Sequence, residues 1–152
     1  MDNSANILSP FHVIDTQILN FSFWTSEILD GNTEHGMSIG EGFELSDTQP
    51  DNGRIRYQLN LKVSINDYKD DESFNLAIRI AMRGLFSTPT PSDEDKDRAE
   101  EWARTNAIAF LYSQARAQIN LFSRATATGS VYLPAIDPVA YIMASEPREL
   151  AK

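Results

Sequence analysis

Between Ile55 and Asn66 the chain alternates without exception: Ile55, Tyr57, Leu59, Leu61, Val63 and Ile65 are apolar or aromatic, and Arg56, Gln58, Asn60, Lys62, Ser64 and Asn66 are polar. A strand turns successive side chains to opposite faces, so this register predicts one oily face and one wet face. After the polar run 66–72 the alternation resumes at Phe74, Leu76, Ile78, Ile80 and Met82. The two runs predict a long antiparallel hairpin over Arg54 to Gly84, with an acidic turn and one face in a core.

Upstream, Val13 to Trp24 is strand-like but changes parity. Ile14 and Ile18 are even, whereas Leu19, Phe21 and Phe23 are odd, so one extra residue near Ile18 predicts a bulge or bend. Asp30-Gly31-Asn32 and His35-Gly36 carry turn chemistry. Met37, Ile39, Phe43 and Leu45 predict a further strand, weakened by Gly40 and Gly42, and Pro50 with Asn52-Gly53 returns the chain to the hairpin. Downstream, Ser87-Thr88-Pro89-Thr90-Pro91 reads as a loop. Ser92, three residues before Asp95, predicts a helix start with Asp93, Glu94 and Asp97 in its first turn. That helix runs through Trp102 to about Ala125 and ends within 126–129. It carries two apolar stripes, Ile108, Leu111, Tyr112, Ala115, Ile119 and Phe122 on one side and Ala103, Ala107, Phe110, Ala117 and Leu121 on another. Val139 to Ala144 supplies a short second helix. The fold class is therefore α+β: a four-stranded antiparallel sheet, a long helix and a short C-terminal helix.

Dimensions extend this to assembly. Four strands about 4.8 Å apart present a surface roughly 15–20 Å wide, and one helix covers about 10–12 Å of it. Four large side chains left bare would forgo roughly 6–12 kcal/mol, comparable with the stability of a whole domain. The expectation is a homo-oligomer, at least a dimer, or a surface kept apolar for clients.

Composition narrows the function classes. The chain has 152 residues, is 41% hydrophobic and carries a formal net charge of −9, which disfavours nucleic acid and anionic lipid as partners and favours a basic protein surface. The absence of cysteine excludes disulfides and thiolate metal sites. No basic region followed by an apolar run opens the sequence, and no run of about 18 apolar residues occurs, so the expected location is cytoplasmic, without membrane insertion.

Candidate catalytic chemistry is sparse. His12 and His35 lie in or beside expected loops without spaced partners. Asp93, Asp95 and Asp97 mimic the opening of a calcium loop, but Arg98 and Arg104 stand where its glycine and bidentate glutamate belong. Gly36, Gly40 and Gly42 resemble a phosphate cradle without its lysine or following helix. Asn20-Phe21-Ser22 matches a glycosylation sequon in mid-strand. No catalytic residue, metal or cofactor is assigned, and the reading is non-enzymatic.

Three segments carry a resemblance to a known family. Gly84-Leu85-Phe86-Ser87 resembles the Gly-Ile-Phe segment of SecB, the protein-export chaperone; Phe110-Leu111-Tyr112 with Ala115-Arg116 is similar to that family's helix segment; and Leu133-Pro134-Ala135-Ile136-Asp137-Pro138-Val139-Ala140-Tyr141-Ile142 is similar to its ending. Their order and spacing match over roughly 13–145. The family's Phe-Pro-Pro segment is absent, with 126–130 in that region, and Pro138 replaces a phenylalanine. The resemblance implies a SecB-like domain at 13–145, between a flexible tail at 1–12 and a C-terminal tail at 146–152. It implies an ATP-independent holdase that binds unfolded polypeptide clients in an apolar groove, for protein export or a dedicated client such as a toxin-antitoxin pair. Phe23, Trp24, Phe43, Leu45, Phe86, Tyr132, Leu133, Ile136, Tyr141 and Ile142 are the expected client-binding residues. It also implies a homotetramer, with the stripe of Ala103, Ala107, Phe110, Ala117 and Leu121 as the interface. SecB offers an acidic sheet face to the export motor SecA, whereas Arg56, Lys62, Arg79 and Arg83 argue against a SecA-type motor here. The alternative reading is an oligomeric structural or regulatory protein of the same fold with one folded partner.

Overall fold

The computed structural model describes residues 10–25, 34–51, 53–70, 73–125 and 131–145. Most of the expected N-terminal tail, the whole C-terminal tail, the turn at 30–32 and the helix stop at 126–129 lie outside the described residues. Strands β1 (His12–Thr25), β2 (Glu34–Asp51), β3 (Arg54–Asp70) and β4 (Ser73–Pro89) form one antiparallel sheet in the order β1-β4-β3-β2. A 3-10 turn (Asp93–Asp95) leads into α1 (Lys96–Ser123), and α2 (Pro138–Ser145) follows.

The central hairpin forms as its alternation predicts. Ile65 lies opposite Ile78, Val63 opposite Ile80, Leu61 opposite Met82 and Tyr57 opposite Phe86, all buried on one face. β1 shifts register between Ile18 and Asn20, where the parity changes, and again between Val13 and Asp15. The glycines of β2 do not break it, because Gly40 and Gly42 continue the pairing with Lys62 and Asn60.

Two boundaries differ from expectation. The segment 87–89, read as a loop, continues β4: Ile55 pairs with Thr88, and Thr90 N–H donates to Gly53 O at 2.9 Å. Proline is tolerated there because Pro89 stands at the strand's last position. Pro10 to His12, expected as the end of a tail, are tied into the fold. Arg54 Nη2 donates to Pro10 O at 2.6 Å and to Ser87 O at 3.0 Å, and Phe11 stacks on Phe86 at 5.1 Å.

α1 crosses β3 and β4, with Ile108, Leu111, Ala115 and Ile119 fully buried beneath it. Ala103 and Ala107 are also 0% exposed. A helix advances about 100° per residue, so Ala103, Ala107 and Leu111 step round by only about 40° each and belong to one wide inner face. Beyond α1, residues 131–134 return along it as an extended strap. Ser123 Oγ accepts from Val131 N–H (2.7 Å), Asn120 Nδ2 donates to Val131 O (3.4 Å), Arg116 Nε to Leu133 O (3.1 Å) and Tyr112 OH to Pro134 O (2.6 Å). Asp137 Oδ1 then accepts from the N–H groups of Val139 and Ala140 at 3.0 and 3.2 Å, capping α2 with Pro138 as its first residue.

Candidate client-binding surface

α1 is narrower than the sheet, and an apolar flank is left on each side of it. On the β1 flank, Val13 and Ile18 are exposed on the helix-facing side. Phe122, 54% exposed although its direction on the helix is inward, lies 4.9 Å from the ring of Phe21 and 6.0 Å from that of Phe23. The end of α1 thus overhangs an edge strand that no other described helix covers.

On the β2 flank the helix-facing positions are Met37, Ile39, Glu41, Phe43 and Leu45. Phe43 stacks on Tyr57 at 5.0 Å. Tyr141, from α2, donates its hydroxyl to Ile39 O at 3.3 Å, and the Tyr112 hydroxyl lies 3.7 Å from Met37 Sδ. In the middle of this strip Glu41 forms an ion pair with Arg104 of α1, whose Nε donates to Glu41 Oε1 at 2.9 Å. Glu41 Oε2 is buried and accepts no hydrogen bond among the described residues. Burial raises the Tyr141 hydroxyl above the ordinary tyrosine value; Glu41 adds to the rise and Arg104 opposes it. Burial likewise raises Tyr57, helped by Glu100, and Tyr112, opposed by Arg116. The strip is apolar with one polar anchor, a surface suited to the side chains of an extended chain rather than to bond-making chemistry.

The expected site residues separate into four groups. Phe43, Leu45, Ile136 and Tyr141 are exposed or half-buried on the inner side or its covering segment, and Tyr132 is 71% exposed. Phe86, Leu133 and Ile142 are core residues with no surface to offer, and Trp24, opposite Ala77, stands on the other face of the sheet. Phe23 belongs to the β1 flank. Of the expected interface stripe, Ala103 and Ala107 are taken up by the chain's own sheet, Phe110 is half-buried at 6.1 Å from Phe86, and Ala117 and Leu121 are exposed. Neither Glu41 nor Arg104 is among the expected site residues, although Glu41 has the parity of Met37, Ile39, Phe43 and Leu45 and so faces inward.

The other chemical candidates lie elsewhere. His12 is exposed at the first position of β1 and His35 lies within β2. Asp93 to Asp95 form the exposed 3-10 turn before α1, and Gly36, Gly40 and Gly42 lie in a strand rather than a phosphate-binding loop. Among the described residues no three metal-ligating side chains cluster, and no helix is long and apolar enough to cross a membrane.

One antiparallel sheet of four strands in this order, crossed by a long helix and completed by a short one, is a SecB-like fold. Among solved structures the chain is similar to Rv1957 of Mycobacterium tuberculosis, a SecB-like chaperone in complex with a ChAD peptide from the Rv1956 HigA1 antitoxin. The TM-score is 0.57 at 12% identity, covering 83% of this chain and 90% of that one. At that identity the likeness concerns the fold. No family model matches the chain, and no curated protein matches it.

Proposed function

We propose that this protein is an ATP-independent holdase, which keeps non-native polypeptides from aggregating by burying their apolar side chains on the flanks beside α1. The observation that carries this reading is the inner strip of β2, where Phe43, Leu45 and Met37 remain partly open beside the helix that should cover them. Removing apolar surface from water drives such binding without nucleotide, and the exposed backbone of an edge strand offers pairing to an extended client. The peptide bound to the solved neighbour supports a polypeptide ligand. The functional unit is the domain 13–145 with Pro10 to His12 attached, working in the cytoplasm as a homo-oligomer, dimer or tetramer. The open face of the sheet carries Arg56, Lys62, Arg79 and Arg83, which argues for a dedicated client rather than a SecA-type export motor with a basic tail.

Titration against a chemically unfolded, slowly refolding protein tests the reading. The expected result is suppression of its aggregation at micromolar concentration without ATP, with Phe43→Glu weakening binding at least about tenfold, or about 1.4 kcal/mol. Failure to bind any unfolded substrate would leave an oligomeric interaction protein of the same fold.

A further inference from the structure

The sheet face turned away from α1 has a chemistry of its own. Lys62 of β3 lies opposite Ala81 of β4, and Arg79 and Arg83 stand two residues to either side of Ala81. Both arginines are therefore diagonal neighbours of Lys62, at about 7–8 Å. None of the three is ion-paired among the described residues; Arg83 Nε donates to the neutral Asn60 Oδ1 at 3.1 Å. Beside them on β2 the same face carries Gly40 and Gly42, where an added Cβ would meet nothing within 4 Å. The chain's own packing does not require glycine at either position, and their absent side chains leave the approach to the cations open.

This cluster runs against the charge of the whole molecule, which is −9. Among the described side chains at the margin of the face, the carboxylates of Glu44 and Asp15 stand at the two sheet edges and accept from the amides of Gln58 and Gln17, each at 3.3 Å; Asp47 stands opposite Arg56 in register, beyond the three cations. An extended polypeptide places every second side chain on one side at about 6.6–6.8 Å, close to the spacing of the three cations. A long nucleic acid would run off this small face onto the acidic remainder of the chain.

We propose that the open face docks an extended acidic segment of a partner protein, with carboxylates at alternate positions held by Lys62, Arg79 and Arg83. This surface is separate from the client flanks, which lie on the other side of the sheet. A fluorescent peptide of alternating glutamate and serine is the probe. It is expected to bind the full-length protein and to weaken severalfold between about 50 and 200 mM salt, as contacts between exposed charges do. In Lys62→Glu/Arg79→Glu its binding falls by at least about tenfold, while the melting temperature and the holding of unfolded substrate stay as in the parent. Equal binding to parent and variant, or none to the parent, overturns the proposal. So does an oligonucleotide of equal charge that binds as well as the peptide, or inorganic phosphate that displaces the peptide at millimolar concentration. Self-association at low salt that the double variant abolishes would make a second copy of this chain the occupant, and would equally overturn it.

Discussion

Gly84 shows how one atom is excluded. A Cβ there would run into Phe86 Cζ and lie 3.2 Å from Leu111 Cδ1, because the fully buried Phe86 ring folds back over its own strand. Gly84→Ala is expected to cost about 1–3 kcal/mol as overpacking, read from the midpoint of urea unfolding. Glu41 is the opposite case, a charge held inside by its partner. Arg104→Met leaves that carboxylate unpaired and is expected to destabilise by about 3 kcal/mol, at the low end for buried pairs because Arg104 keeps 25% of its side chain exposed. Glu41→Met combined with Arg104→Met should recover most of the loss in the same assay. The tyrosines set an alkaline limit. Tyr57, Tyr112 and Tyr141 are raised above 10.0 chiefly by burial, so beyond that pH the unfolded chain has released protons that the folded chain still binds. Their contribution is complete below about pH 10 and falls as pH rises past it. A series of unfolding midpoints from about pH 8 to 11 should show the decline, and Tyr141→Phe should make it shallower.

Elements are held by contacts of different legibility. The strap along α1 depends on side chains one helical turn apart, Tyr112, Arg116, Asn120 and Ser123, reaching its backbone. Arg116→Ala removes a charge-assisted bond to Leu133 O and is expected to cost about 1.5–3 kcal/mol, with faster amide exchange of the strap than of β3. The sheet was readable because alternation is a local signal: β3 and β4 announce their inner faces residue by residue, and the bulge of β1 was visible as a change of parity. Helix sidedness was less so, since Ala103 and Ala107 look like a separate small-residue stripe until the sheet shows how wide the covered arc is. Neither the strap nor the Arg54 clamp on Pro10 and Ser87 leaves a periodic trace, because each rests on bonds between a side chain and the backbone of a segment outside its own element. Ser92 stands at the helix entrance, as its spacing to Asp95 predicts, but acts differently from a simple cap. Its carbonyl accepts from Asp95 N–H and its hydroxyl donates to Asp95 Oδ2, each at 3.0 Å, so a 3-10 turn precedes Lys96.

In the whole molecule, a single helix leaves an apolar flank on each side of it. The β1 flank under Phe122, with the outward Leu121 next to it in sequence and 64% exposed, is the better candidate for contact between copies. Leu121→Glu combined with Phe122→Glu is expected to lower the mass found by light scattering, since a dry contact would have to take up charge. Ala107→Glu, by contrast, would put that charge under the chain's own helix and unfold it. An unchanged mass for the Leu121/Phe122 variant would move the assembly contact to another face. The strand order also acts in time. β1 is synthesised before its neighbours but pairs with β4, so the whole of β2 and β3 must emerge before His12 can meet Ser87. At about 5–20 residues per second, Val13, Ile18, Phe21 and Phe23 spend several seconds beside the ribosome without a partner. A protein proposed to shelter unfinished chains is, for that interval, one of them.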